Sequence, residues 1–210
     1  MNDRLTIALT KGRVLPQTLS LLAKIGVAPR DDIFSSRKLV FETNDPNIEL
    51  MILRSMDVAT YVEHGIADVG MAGKDVLIEH GETGYYEPLD LKIGRCRLMV
   101  AGLKDEPALP PRMKIATKFV NAANRYYAEK GVQVDIIKLY GAMELAPVTG
   151  LAHRIVDIVE TGNTLKANGM VPMELITEIS TRLIINKISM KMRHGAIIDL
   201  VSALEEALES

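Results

Sequence analysis

Leu5-Thr-Ile-Ala-Leu-Thr-Lys-Gly-Arg-Val-Leu-Pro-Gln-Thr-Leu-Ser-Leu-Leu-Ala-Lys-Ile-Gly26 decides the fold class. Leu5–Leu9 is a short apolar run, closed by Thr10 and Lys11, and predicts a buried strand. Leu15, Leu19 and Leu22 then recur at i, i+4 and i+7, the stripe of a helix, and Gly26 ends it. A strand, a glycine-containing loop and a helix in direct succession form the opening unit of a layered α/β chain.

The alternation continues outward. Leu39–Phe41 and Ile48–Leu53 flank Asn44-Asp45-Pro46-Asn47 and predict a hairpin. Ser55 is the expected cap of a helix reaching His64, with Gly65 just beyond. Ala67–Met71 predicts a strand, and a helix follows near Asp75–His80. Cys96–Ala101 and Met113–Ala116 predict strands on either side of a proline-rich linker, residues 105–111. Asn121 is the expected cap of a helix to Lys130. Val132–Leu139 predicts a strand, Glu144–Thr149 a short helix, and Ile155–Val159 and Leu183–Ile185 further strands. Ile197, Val201, Leu204 and Leu208 mark a final amphipathic helix. The pattern implies α/β layers with largely parallel sheets in two lobes: residues 1–91 with 181–210, and residues 92–180. Ligands in such folds bind beyond the carboxyl ends of strands, often between domains.

Composition narrows the function. Hydrophobic residues make up 48% and charged residues 25% of 210, with a net charge of −2, so no nucleic acid or anionic membrane is implied as partner. A small anionic substrate would need a local cluster of cations. Cys96 is the single cysteine, which fits a reducing compartment. The N-terminus does not read as a signal peptide, and no apolar run approaches the roughly 20 residues of a membrane span. The expected location is the cytoplasm.

Asp157-Ile-Val-Glu-Thr-Gly-Asn-Thr-Leu165 carries the chemistry. Gly162 lets the backbone approach an anion, and Thr161, Thr164 and successive N–H groups can point at one phosphate before a helix expected from Leu165. Asp157 and Glu160 add carboxylates that could accept hydrogen bonds from ribose hydroxyls or hold a hydrated Mg2+. A strand followed by a polar turn is the plain alternative.

The longer run Glu144-x5-Gly150-x-Ala152-x2-Ile155-x-Asp157-Ile158-x2-Thr161-Gly162-x-Thr164-Leu165 resembles, at every defined position, the signature of the ATP phosphoribosyltransferases. Lys11-Gly12-Arg13, Ser36-Arg37-Lys38, Asp68-Val69-Gly70, Gly73-Lys74-Asp75-Val76 and Gly94-Arg95-Cys96-Arg97 extend the resemblance over almost the whole chain. Thr10 and His153 depart from it, standing where proline or serine and an acidic residue are expected. The resemblance implies a pentosyltransferase that joins ATP to phosphoribosyl pyrophosphate in the first step of histidine biosynthesis. It also implies a two-lobed fold like type II periplasmic binding proteins, with a cleft between lobes. Ending at Ser210, the chain resembles the family's short form. That form implies homodimers assembling with a histidyl-tRNA-synthetase-like regulatory subunit into a hetero-octamer, with histidine feedback through that subunit.

By the same resemblance, Glu160, Thr161, Gly162, Asn163 and Thr164 hold the 5-phosphate, and Glu144 and Asp157 contact ribose hydroxyls or Mg2+. Lys11, Arg13, Arg37 and Arg54 form the cation set for pyrophosphate and ATP phosphates, with Arg13 and Arg37 stabilising the leaving group. Gly73, Lys74 and Asp75 line the ATP side. The metal ligands stay unassigned. Arginine's ordinary place is solvated surface; Lys11 and Arg13 differ by sitting in a glycine loop at a strand's end, and Arg54 is equally readable as a structural ion-pair partner.

Other motifs carry less. His64, His80, His153 and His194 have no metal-ligand spacing. Gly73-Lys74 is followed by Asp75, so there is no Walker loop, and no Gly-x-Gly-x-x-Gly occurs. Tyr126-Tyr127 reads as packing, and Met190–His194 as a solvated helix face or a basic partner patch. Three rivals remain: a purine-salvage phosphoribosyltransferase, disfavoured because Asp157 and Glu160 are not adjacent; a solute-binding protein of the same architecture; and a catalytically silent regulatory partner.

Overall fold

The computed structural model describes residues 4–81, 83–106 and 108–209. Pro107 of the expected linker and Met1–Asp3 of the N-terminus therefore lie outside the described residues. The chain runs β1 (Leu5–Thr10), α1 (Leu15–Lys24), β2 (Val40–Glu42), β3 (Ile48–Leu53), α2 (Ser55–Glu63), β4 (Val69–Gly73), α3 (Lys74–His80) and β5 (Tyr85–Asp90). It continues β6 (Cys96–Leu103), β7 (Met113–Thr117), α4 (Val120–Glu129), β8 (Val134–Lys138), α5 (Leu145–Val148), β9 (Arg154–Val159), α6 (Asn163–Ala167) and β10 (Met170–Ile179). It ends β11 (Thr181–Asn186), α7 (Lys187–Met192) and α8 (His194–Glu209). Two compact units result: Met1–Gly94 with Ser180–Ser210, and Arg95–Ile179.

In the first unit the sheet order is β2-β3-β1-β4-β11-β5. All six residues of β1 are buried, as expected of a strand covered on both faces between parallel neighbours. Those neighbours are β3 and β4. One core holds Leu5, Ile7 and Leu9 against Leu15 and Leu22 of α1 and Ile197, Leu200 and Leu204 of α8. The other face packs Ala8 against Val58 and Val62 of α2 and Val76 and Leu77 of α3. The second unit's sheet has the order β10-β6-β9-β7-β8, with Met143, Ala146, Ile155, Val159 and Leu165 in its core.

Several expectations are corrected. The sheets are mixed, not largely parallel: β2 runs against β3, β11 against β4 and β5, and β6 against β9 and β10. Only pairs joined through a helical crossover run parallel here, while strands near the two unit junctions return antiparallel. β5 and β10 had no expected counterpart. Each contains a proline, Pro88 or Pro172, and each is an outermost strand in its sheet order. Proline weakens the strand signal but is tolerated at edges.

Helix starts also shift. Ser55 is already helical; extended Arg54 is the cap of α2, with no side-chain cap bond. Asn121 is the second residue of α4, whose cap is Phe119; the Thr117 hydroxyl accepts from Phe119 N–H at 2.9 Å. α6 starts at Asn163, two residues before Leu165, because left-handed Gly162 (φ +77°) turns the chain into it. Asn186 does cap α7, its Oδ1 accepting from Ile188 and Ser189 N–H. No helix of the described residues is long and apolar enough to cross a membrane.

Candidate active site

In the first unit, the loops after three adjacent parallel strands collect at one sheet edge. Thr10 and Leu53 end β1 and β3 in register, and Lys11 N–H donates to Leu53 C=O at 2.7 Å. The Thr10 hydroxyl crosses to β4, donating to Met71 C=O at 3.0 Å. Gly12 turns the loop with φ +111°, a conformation that suits glycine, and Lys11 and Arg13 flank it as exposed cations. Arg54 follows β3 at once and is exposed. Gly73-Lys74-Asp75 leads from β4 into α3.

Arg37 joins this edge through the antiparallel hairpin. Val40 pairs with Met51 and Ile52 N–H donates to Leu39 C=O at 2.8 Å, so the segment leading into β2 lies where β3 ends. Lys11, Arg13, Arg37, Arg54 and Gly73–Asp75, scattered in sequence, therefore share one edge of one sheet. Lys74 is not an isolated cation: its Nζ is 2.6 Å from Glu87 Oε2, both half-buried. Glu87 also faces Arg182 Nε at 3.7 Å, and Arg182 reaches Asp90 at 3.3 Å. The sequence reading missed Glu87, because it lies on β5.

The second unit repeats the geometry. β9, β7 and β8 are parallel neighbours, and their carboxyl ends lead to Glu160–Gly162, to Lys118 and to the 139–144 loop. Gly162 hands the chain to α6, with Lys166 N–H donating to Gly162 C=O at 3.0 Å and Asn163 N–H to the Thr161 hydroxyl at 3.4 Å. Glu160, Thr161, Asn163 and Thr164 are exposed. Glu144 is the residue before α5. Its neighbours Met143 and Ala146 share a core with Ile155, Val159 and Leu165, which fastens Glu144 to the strand that carries Asp157. Ala142, two residues before it, takes φ +49°, a region non-glycine residues enter at a cost and that recurs at ligand sites.

Asp157 is partly buried, with Oδ1 accepting from Ile158 N–H at 2.9 Å and lying 3.8 Å from Lys118 Nζ. Lys118 carried no expectation; the strand reading stopped at Ala116. Arg97, from a motif quoted above, pairs in register with Val159 and so stands beside the loop. No group of three or more His, Cys, Asp or Glu among the described residues is arranged to hold a metal ion.

Other charges of this unit pair with one another. Arg154 forks onto Glu106 at 2.5 and 3.1 Å, and Glu174 binds Lys130 and the Tyr126 hydroxyl. Burial pushes the Tyr127 hydroxyl up to about 12; its ring meets Tyr126 edge-on, so the pair is packing, as expected. Two of the histidines sit in structural roles: His80 Nε2 lies 2.8 Å from Glu63, and His153 Nδ1 accepts from Lys114 N–H.

Known proteins resemble this chain along its whole length. The family model described as HisG: ATP phosphoribosyltransferase matches residues 54–206. An ATP phosphoribosyltransferase of Marinobacter nauticus is 60% identical over 209 residues, covering 100% of this chain and 98% of that protein. The solved ATP phosphoribosyl transferase (HisG:HisZ) complex from Thermotoga maritima matches with a TM-score of 0.86 and 36% identity, covering 98% of both chains. The periplasmic aliphatic sulphonate binding protein SsuA from Escherichia coli has a TM-score of 0.61 at 15% identity, over 99% of this chain and 69% of its own. That likeness shows the two-lobed binding-protein fold and nothing of function. With the strand-to-loop geometry of Asp157–Thr164 already in place, these matches identify the chain as a member of the ATP phosphoribosyltransferase family.

Proposed function

We propose that the chain transfers the phosphoribosyl group of phosphoribosyl pyrophosphate to N1 of ATP's adenine. The bond from C1 to the pyrophosphate oxygen breaks, the C1–N1 bond forms, and pyrophosphate leaves, in the first step of histidine biosynthesis. The adenine nitrogen already carries a lone pair, so no strong general base is needed. The barrier lies in bringing two polyanions together and in stabilising a leaving pyrophosphate, which makes positioning and electrostatics the main source of rate.

Glu160–Thr164 cradle the 5-phosphate, and Glu144 and Asp157 face the ribose hydroxyls. Lys11, Arg13, Arg37 and Arg54 bind pyrophosphate and ATP phosphates, with Arg13 and Arg37 on the leaving group; arginine's planar fork suits phosphate oxygens. Gly73, Lys74 and Asp75 line the ATP side. The observation that supports this division is the sorting of residues by unit. The cations gather after β1 and β3 and before β2, whereas the Thr-Gly-Asn-Thr loop follows β9. The residues fit a Mg2+ ion carried in by the diphosphate rather than a protein-built cage: Asp157 and Glu144 would hold it through one or two carboxylates, as Mg2+ sites on phosphates commonly do. Such an ion would offset part of the pyrophosphate charge.

The Thermotoga maritima neighbour is a HisG:HisZ complex. For this chain we assign a HisZ-type partner, related to histidyl-tRNA synthetase, through which histidine feeds back on a hetero-octamer built from homodimers. The location that fits this biosynthetic role is the cytoplasm.

The deciding experiment incubates the chain with ATP, phosphoribosyl pyrophosphate and Mg2+ and follows phosphoribosyl-ATP by absorbance and pyrophosphate by a coupled assay. Absence of both products, with and without a HisZ-type subunit, would overturn the assignment. Addition of histidine should inhibit only the assembly that contains the partner.

A further inference from the structure

The sugar-phosphate loop has a charge problem. Asp157–Thr164 contains two carboxylates and neither lysine nor arginine, and Glu144 adds a third carboxylate nearby. α6, the helix that follows, is five residues long, too short to build much macrodipole. A phosphate dianion entering this loop finds no lysine or arginine within the segment itself. A cation held beside the loop by the second unit would supply that charge without relying on the Mg2+ that the diphosphate carries in.

Lys118 is placed for that. It leaves the carboxyl end of β7, the strand between β9 and β8. The preceding Thr117 is fully buried, and its hydroxyl donates to Val156 C=O on β9 at 2.6 Å, fixing the root of Lys118 against the strand that carries Asp157. The ammonium rests 4.7 Å from the centroid of buried Phe119, a cation–π contact that limits its sweep. From there it stands 3.8 Å from Asp157 Oδ1, with 40% of the side chain exposed. A close charge-assisted hydrogen bond would be nearer 2.8 Å. The pair is therefore loose, and an ammonium has three protons to give. A bound phosphorylated sugar can take the others without breaking the pair.

We propose that Lys118 is the phosphate-binding cation of the second unit: it orients Asp157 in the free protein and donates to the phosphoribosyl ligand when that ligand is bound. This rests on the assignment of Glu160–Thr164 as the 5-phosphate loop, and adds to it a residue outside the family signature. Arg97 and Lys166 are nearby cations of the same unit, but Lys166 lies in the last turn of α6 and Arg97 on the β6 flank.

The test measures phosphoribosyl pyrophosphate affinity by calorimetry in the presence of Mg2+, together with KM and kcat, for Lys118→Met, Lys118→Arg, Asp157→Asn and the double variant Lys118→Met/Asp157→Asn. Loss of one charged hydrogen bond to phosphate predicts an affinity for phosphoribosyl pyrophosphate about tenfold weaker or more in Lys118→Met. ATP affinity should stay unchanged, and Lys118→Arg should recover most of the loss. The Lys118→Met penalty should persist in the Asp157→Asn background. A penalty that vanishes there would reduce Lys118 to a screen for Asp157 and overturn the proposal, as would unchanged affinity in Lys118→Met. Thr161→Ala, measured alongside, separates the two claims. Weakened binding there with normal Lys118→Met refutes the lysine alone, whereas normal binding in both refutes the loop. Half-exposed Lys118 leaves room for both substitutions, and matching melting curves would confirm that each variant is folded.

Discussion

Ile52 donates its N–H to the carbonyl of Leu39 at 2.8 Å, and that bond puts Arg37 at the sheet edge where Lys11 and Arg13 emerge. An arginine there can act on charge that develops only as pyrophosphate departs. Arg37→Ala should lower turnover by about a hundredfold or more, the usual scale for removing one transition-state charge contact, while ATP binding weakens far less. Steady-state kinetics with both substrates varied, paired with ATP calorimetry, would check this. Unchanged kcat would remove Arg37 from the leaving-group pair.

Thr161 opens the loop after β9, and its hydroxyl is 3.4 Å from Asn163 N–H, a long contact easily given up to a ligand oxygen. Thr161→Ala should weaken phosphoribosyl pyrophosphate binding by about tenfold, as expected for one hydrogen bond to a charged group, with ATP binding intact. Calorimetry showing the parent affinity would contradict the 5-phosphate assignment.

Gly162 holds φ +77°, yet a Cβ there would meet nothing nearer than Val159 Cγ1 at 3.9 Å. Space is not the constraint; the left-handed backbone is. Gly162→Ala should cost about 1–2 kcal/mol, and Gly162→Asn less, because asparagine tolerates this region better. Urea denaturation of the two variants reports the order, and equal losses would mean that crowding, not backbone conformation, selects glycine.

Glu174 ties β10 to α4. The Lys130 ammonium bound to it, helped by the Tyr126 hydroxyl and opposed by burial, holds its carboxyl below the ordinary 4.5. A depressed folded value stabilises the protein above about pH 4.5 and loses that contribution as pH falls through the lowered value. The melting temperature of the parent should therefore exceed that of Glu174→Gln at neutral pH and converge on it under acid. A gap that does not narrow anywhere along the acid limb would assign the effect to packing instead of charge.

The parts legible in sequence were those written in local patterns. The Leu5–Leu9 run, the Leu15–Leu22 stripe and the Asn44–Asn47 turn each state their structure within a few residues, and β1, α1 and the β2–β3 hairpin follow them. β5 and β10 were hidden because their prolines suppress the strand signal and their partners lie far away: Tyr85–Asp90 pairs with β11, and Met170–Ile179 with β6. Losing β5 also hid Glu87, the partner of Lys74. Asp157 and Thr161 stood out because glycine and two threonines cluster around them. Lys118 did not, since a lysine after a short strand looks like ordinary surface until the register of β7 against β9 sets it beside Asp157.

The sheet order of the first unit bears on synthesis. β11 lies between β4 and β5, yet it is made only after all of Arg95–Ile179. While the ribosome works through that middle stretch, β4 has an open flank and Tyr85–Asp90 waits without its neighbour. The second unit, by contrast, holds every strand of its own sheet within one continuous segment. The half translated later is thus the first able to finish folding, and the half translated first stays an unfinished sheet, with the adhesive edge that chaperones guard, until Thr181–Asn186 emerges to close it.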